Sequence, residues 1–285
     1  MASTSGPDGE RMMGRTPGSK TDAGSSSAGA AKGSGILRRE LIANVTVILL
    51  LILGMEVWSW FTTPFVMPAP ARTFAYVAEA VQNDYLHIGL TVGRLVVAVL
   101  ASLVIGTIIG ALMAVVKPLE PFLKSIVVID TGVPALSWML FAIFWFEEPE
   151  ARVFFILLMI LVPFYALNVF DGIRALSNEL VEMVETFRPS KWQLARYLIG
   201  PHIVPYLLMT TKSIIGYATR MTVFAELVSV STGMGARMGV AQSSFQMDGV
   251  LAWTIILVLA NVLIQAIVIL LERVLLSYRP EVAVR

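Results

Sequence analysis

The chain contains no cysteine and only two histidines, His87 and His202. That excludes disulfides, thiol nucleophiles and thiolate zinc sites, and leaves little for a histidine-based metal centre. No Ser-His-Asp set, carboxylate pair or metal-ligand spacing is visible, so the usual catalytic constellations cannot be assembled. Charge is scarce too: Asp, Glu, Lys and Arg make up 14% of 285 residues, against about 25% in soluble globular chains. What the chain has instead is apolar surface, 56% of its residues, and that excess must face lipid. Six spans of roughly 20 residues would use about 120 positions, leaving short loops and one tail but no second folded domain.

Residues 1–35 are rich in Gly, Ser, Ala and Thr and have no aromatic residue, so they are expected to form a disordered cytoplasmic tail. Within them, Gly14 to Thr21 imitates a phosphate-binding loop, but Ser19 stands where a glycine belongs and no strand or helix flanks it. No nucleotide site is expected there. Residues 36–285 form the expected transmembrane domain, with apolar runs at about 41–61, 89–116, 122–146, 152–170, 203–227 and 250–271, each near the length that crosses a hydrocarbon core.

Arg38, Arg39, Lys117, Lys124, Arg174, Arg188, Lys191, Arg196, Arg273 and Arg279 fall on one side of these runs, and only Arg72, Arg152 and Arg237 on the other. By the positive-inside bias both termini are cytoplasmic. The stretch Pro68 to His87 starts with prolines and continues at helical spacing through Phe74, Val77, Ala78 and Val81, which predicts a short helix on the outer membrane face. Ser229 to Gly249 is too polar to span. The long, basic, amphipathic loop 171–202 is the largest cytoplasmic feature and the natural docking place for a soluble partner.

That loop also carries a resemblance. Asn168 to Arg174, Glu179-Leu180-Val181-Glu182, Ser190 to Leu194, Pro201 and Pro205-Tyr206 resemble the permease subunits of binding-protein-dependent ABC importers. Within that family they resemble the branch for nitrate, sulfonate, taurine, bicarbonate and related small substrates. Supporting stretches are Met67 to Pro70, Thr91 with Arg94, Pro134 with Trp145-Phe146, Ala225-Glu226 and Gly233-Met234-Gly235. The resemblance implies an all-α, six-helix, type I importer permease in the bacterial cytoplasmic membrane, without enzymatic activity or a cofactor of its own. ATP and Mg would be held by partner ATPase subunits. Further implied partners are a second permease copy or paralogue, a periplasmic or lipid-anchored solute-binding protein and membrane lipids, with no nucleic acid. It further implies a coupling helix seated in the ATPase, here drawn from Glu182, Glu185, Thr186, Arg188, Pro189, Ser190 and Lys191. The family pattern is altered: Met183 and Val184 replace two alanines, Arg188 a glycine and Gly200 a leucine, so the Arg188-Pro189 turn is expected to differ.

Ionisable residues at membrane depth are site candidates, because an unpaired charge there costs several kcal/mol. Arg220 lies about 22 Å along the fifth span from Pro205, where its guanidinium could face the pathway and hold a small anion, or pair with Glu226. Glu226 and Trp138 are the other pathway candidates. Arg94 is expected to snorkel to the outer headgroups and Lys212 to the inner ones. Asp130, beside Gly132 and Pro134, could bind a cation or proton or cap a resumed helix. Gly106 and Gly110, and Gly89 and Gly93, are spaced for close helix approach. A secondary transporter using an intramembrane carboxylate and a non-transporting partner permease with a degenerate coupling loop stay open.

Overall fold

The computed structural model describes residues 25–275. The phosphate-loop look-alike and Arg279 lie outside the described residues, as do the side chains of Glu185 and Lys191. Among the described residues the regular structure is helical. In chain order it comprises α1 (Ser25–Phe61), α2 (Pro70–Asn83), α3 (Tyr85–Val115), α4 (Glu120–Thr131), α5 (Ala135–Trp145) and α6 (Pro149–Arg174). Then follow α7 (Asn178–Glu185), α8 (Lys191–Leu194), a π-helical turn at Ala195–Ile199, α9 (Gly200–Ser229), α10 (Met234–Ser243) and α11 (Met247–Leu275). Helix α1 thus includes residues 25–35 of the expected tail.

The chain divides into two compact units, Met1–Gly54 and Met55–Arg285. In the first, Ile42, Val45, Ile48, Leu49 and Leu53 are exposed, as a helix bathed in lipid requires. Among the described residues four helices, Ile42–Phe61 of α1 with α3, α6 and α11, are long and apolar enough to cross a membrane. The expected span at 122–146 is broken in two: α4 and α5 meet at 99°. Pro134 between them has no N–H to donate and biases Val133 away from helical backbone. If this bent pair counts as one span, the total is five. Helix α9 has the length of the expected fifth span but holds Lys212, Arg220 and Glu226 among hydroxyl residues, so its composition alone does not mark it as one.

In the second unit α6 is the centre, packed between α3 and α9. Water drives no helix association inside lipid, so close van der Waals fit must, and the small residues of α3 supply it. A Cβ on Gly106 would lie 2.5 Å from Tyr165 Cβ and 2.9 Å from the Val162 carbonyl, and one on Gly110 would run into the Ala166 carbonyl of α6. Gly89 and Gly93, with the same spacing, have nothing within 4 Å. Tyr165 is fully buried, and its hydroxyl meets Thr211 of α9 at 2.9 Å. At one end of the bundle α2 lies where the proline-led stretch predicts a short helix, and packs with α10 on α11 around Ala80, Met234, Trp253 and Ile256. Burial there pushes the Tyr76 phenol above its ordinary value, while Arg237 opposes the shift.

Candidate translocation pathway and polar lock

Helices α3 and α10 converge on one carboxylate, Glu226, near the C-terminal end of α9, and α6 joins them through Arg94. Glu226 is 0% exposed, and Arg94 of α3 is 4% exposed. Glu226 accepts hydrogen bonds from Arg94 Nη1 at 2.7 Å, from the Gly235 N–H at 3.0 Å, and from the Thr91 hydroxyl, which lies 2.9 and 2.8 Å from its two oxygens. Thr91 in turn accepts from the Met234 N–H at 2.8 Å. Arg94 uses every donor of its fork. Nε and Nη2 grip the two oxygens of Glu150 at 2.9 and 2.5 Å, and Nη1 and Nη2 reach the carbonyl and hydroxyl of Thr232 at 2.7 and 2.9 Å. Five donors in one plane satisfy five acceptor atoms on three segments, which a lysine cannot do.

The backbone bends to make room. Gly233 sits at φ 111°, a conformation open to glycine, and a Cβ on it would collide with the Glu226 carboxylate. Its N–H donates to His87 Nδ1 at 3.0 Å, which leaves the imidazole proton on Nε2. Asp84, at the start of α3, pairs with Arg237 of α10.

Two sequence expectations change here. Arg94 turns inward rather than snorkelling, because Glu150 and Glu226 together offer it a full set of acceptors. Glu226 does not pair with Arg220: six residues on one helix differ by about 240° in direction, so the two project from different sides of α9. Nor does Glu226 line an open pathway in this conformation, since it is fully enclosed. Thr91, Arg94, Ala225-Glu226 and Gly233-Met234-Gly235 were visible in the sequence as separate stretches, and the fold brings them into contact. Glu150 carried no signal beyond being an acid beside a helix-starting proline.

Arg220 is exposed, and Ser213 is exposed on the same stripe of α9, with half-buried Tyr217 between them. Arg220 Nε folds back onto the Gly216 carbonyl at 3.2 Å, and the guanidinium has no carboxylate partner among the described residues. Beside this stripe lie two hollows. One, of about 510 Å³, is bounded by Asn168 of α6 and by Thr210, Ser213 and Tyr217 of α9. The other, of about 70 Å³, sits at the α4–α5 break against Asp130, Trp138, Pro163 and Tyr217. Phe164 and Tyr217 border both, their rings 5.9 Å apart and edge to face. Trp138 also packs edge to face on Phe155 at 5.9 Å. Asp130 does not cap the resumed helix, since α5 has no side-chain cap. Lys212, expected to snorkel, pairs with Glu272 of α11 at 2.9 Å.

At the opposite end of α9 from the lock, Ser177 caps α7, its hydroxyl accepting from the Leu180 N–H at 3.4 Å. After Glu182 and Thr186 the chain reverses at Arg188, Pro189 and Ser190. Arg188 adopts φ 51°, the left-handed region that a glycine enters freely. Arg188 holds that conformation at a cost of about 1–2 kcal/mol that a glycine would not meet. Ser190 and Gln193 then bond reciprocally, N–H to Oε1 at 2.8 Å and N–H to Oγ at 3.2 Å, and start α8. Pro201 has no N–H for the Tyr197 carbonyl, and the adjoining turn widens to a π-helix before α9. Phe187, Trp192 and Tyr197 are left exposed around this turn.

Comparison with known proteins agrees with this architecture. Residues 102–276 match the family described as "Binding-protein-dependent transport system inner membrane component". The chain is 29% identical over 217 residues to a putative aliphatic sulfonates transport permease of Bacillus subtilis, covering 75% of this chain and 78% of that one. It is 23% identical over 197 residues to the taurine transport system permease of Escherichia coli, covering 69% and 71%. Among solved structures the fold resembles the inward-facing MetNI methionine ABC transporter, with TM-score 0.55 at 16% identity, covering 67% of this chain and 95% of that one. A buried lock at one end of a helical bundle, an exposed turn at the other and an exposed stripe carrying Ser213 and Arg220 between them suit a subunit that moves solute and makes no bond. The chain belongs to the inner membrane permease components of binding-protein-dependent ABC importers, whose ATPase is a separate subunit.

Proposed function

We propose that this permease lines half of a solute pathway with the exposed stripe of α9 and receives its motion through the α7–α8 turn. The observation that carries this is Ser213, Tyr217 and Arg220 on one face of a helix whose other faces are enclosed by α3, α6, α10 and α11. A guanidinium without a carboxylate partner is costly against lipid, so this face belongs against water and a second permease, either a copy of this chain or a paralogue. With the bent α4–α5 pair and α9 included, the chain crosses the membrane six times as a type I importer permease, with both termini cytoplasmic on the balance of basic residues. The lock then faces outward, toward the solute-binding protein, and the α7–α8 turn faces the ATPase. Residues Glu182, Glu185, Thr186, Arg188, Pro189, Ser190 and Lys191 are the contact set, and ATP with Mg acts on the ATPase alone. ATPase closure and reopening favour different packings of the bundle, which is what coupled transport requires.

The solute is small and carries an anionic group, which the Arg220 fork can hold through two oxygens. The sulfonate and taurine permeases that the chain resembles are named for such solutes. A second reading, a non-transporting partner permease, is favoured by Met183 and Val184, which enlarge the helix face where the family resemblance has alanine.

The test uses the absence of native cysteine. Ser213→Cys should react with a membrane-impermeant thiol reagent at a rate that changes with the nucleotide bound to the ATPase. Ala218→Cys, at a fully buried position, should not react. An unreactive Ser213→Cys, or one indifferent to nucleotide, would remove α9 from the pathway.

A further inference from the structure

The hollow at the α4–α5 break has a chemistry that Arg220 does not account for. Asp130 stands on the last turn of α4, and its Oδ1 is buried without a hydrogen-bond partner among the described residues. Trp138, one helix later, interacts with the carboxylate, yet one oxygen remains unmatched. A buried acceptor left unpaired is costly anywhere, and an unpaired carboxylate at membrane depth more so. The adjoining cavity of about 70 Å³ is walled by Trp138, Phe164 and Tyr217. Aromatic faces beside a carboxylate select an organic cation or a row of N–H donors. A bare metal ion would want a shell of oxygens, and no group of three or more His, Cys, Asp or Glu that could hold one occurs among the described residues. Tyr217 ties this cavity to the α9 stripe, and Arg220 follows it by three residues, about 4.5 Å along the helix and on the same side. A carboxylate in an aromatic hollow and an unpaired guanidinium therefore border the same face, one turn apart.

We infer that Asp130, with Trp138 and Tyr217, binds the amino or N–H-rich end of a dipolar solute whose anionic end is held by Arg220. The inference rests on the proposed pathway and narrows its cargo from small anions to molecules that carry a protonated amine or N–H donors as well. A solute with both ends engaged covers both charges at once, which a simple anion cannot do.

The test needs no knowledge of the native solute. Thr131, exposed beside Asp130 at the cavity, is replaced by cysteine in the full-length chain assembled with its ATPase. The rates of modification by methanethiosulfonate-ethylammonium and methanethiosulfonate-ethylsulfonate are compared after correction for their rates with a free thiol. The ammonium reagent is expected to win by about tenfold, as one unit charge a few ångströms away in a partly wet site would give. Asp130→Asn should abolish the preference. With Asp130 intact, 2-aminoethanesulfonate should protect Thr131→Cys at concentrations where ethanesulfonate does not, a comparison that stands even if Asp130→Asn does not assemble. An unreactive Thr131→Cys, equal rates for the two reagents, or equal protection by the two sulfonates overturns the inference. Ser213→Cys, measured alongside, separates the two levels. If it reacts while Thr131→Cys shows no preference, the pathway stands and the dipolar site falls. If neither reacts, both fall.

Discussion

Replacing Arg94 by methionine tests the lock most directly. Methionine keeps the length and packing of the stem while removing the charge and all five donors. Glu226, with no exposure, would lose its cationic partner and keep only Thr91 and the Gly235 N–H. Stranding one member of a buried ion pair costs about 3–5 kcal/mol, because the remaining charge is neither solvated nor neutralised. Glu150 adds little to that figure: it is 47% exposed and returns to water when Arg94 leaves. Glu226→Gln should be milder, about 1–3 kcal/mol, since an amide can still accept from Gly235 and Arg94. The double variant Arg94→Met with Glu226→Gln should lose much less stability than the sum of the two single losses, as neither uncharged side chain leaves a stranded partner. The measurement is thermal unfolding of the detergent-solubilised protein for all four forms, read as a double-mutant cycle. Arg94→Met within 1 kcal/mol of the parent, or a cycle that closes additively, would refute the lock.

Two further outcomes follow from backbone geometry. Arg188→Gly should relieve the strain at φ 51°, which glycine enters without the Cβ conflict, yet weaken copurification with the ATPase by removing a side chain of the proposed contact set; unchanged binding would take the arginine side chain out of that set. Gly110→Val should abolish stable folding, as no helix shift short of separating α3 from α6 clears the Ala166 carbonyl, while Gly93→Val, with nothing within 4 Å, should be tolerated in the isolated subunit; monodispersity after detergent extraction distinguishes the two.

The membrane character, the position of the apolar runs, the short helix after Pro70 and the exposed turn at Arg188-Pro189 were all legible in the order of residues. Each depends on local chemistry: length against bilayer thickness, proline against backbone N–H. The break at Gly132 to Pro134 was legible as a weakness in the helix but not as a 99° bend, because the angle is set by what α5 packs against on α6. Gly89-Gly93 and Gly106-Gly110 read alike, yet only the second pair meets a neighbour; spacing states what a helix face permits, not what comes to it.

Charge was where sequence and structure parted most. Spacing along α9 offered Glu226 and Arg220 to each other, and depth offered Arg94 to the headgroups. Tertiary packing instead brought Arg94 from α3 and Glu226 from α9 together over 132 positions of chain, with Glu150 and Thr232 closing the fork. Sequence by itself determined that these charges stand in or beside apolar runs and so must be answered by something. Which partner answers each was decided only when the helices packed, because a fixed planar fork is satisfied by acceptors in space and is indifferent to their separation along the chain.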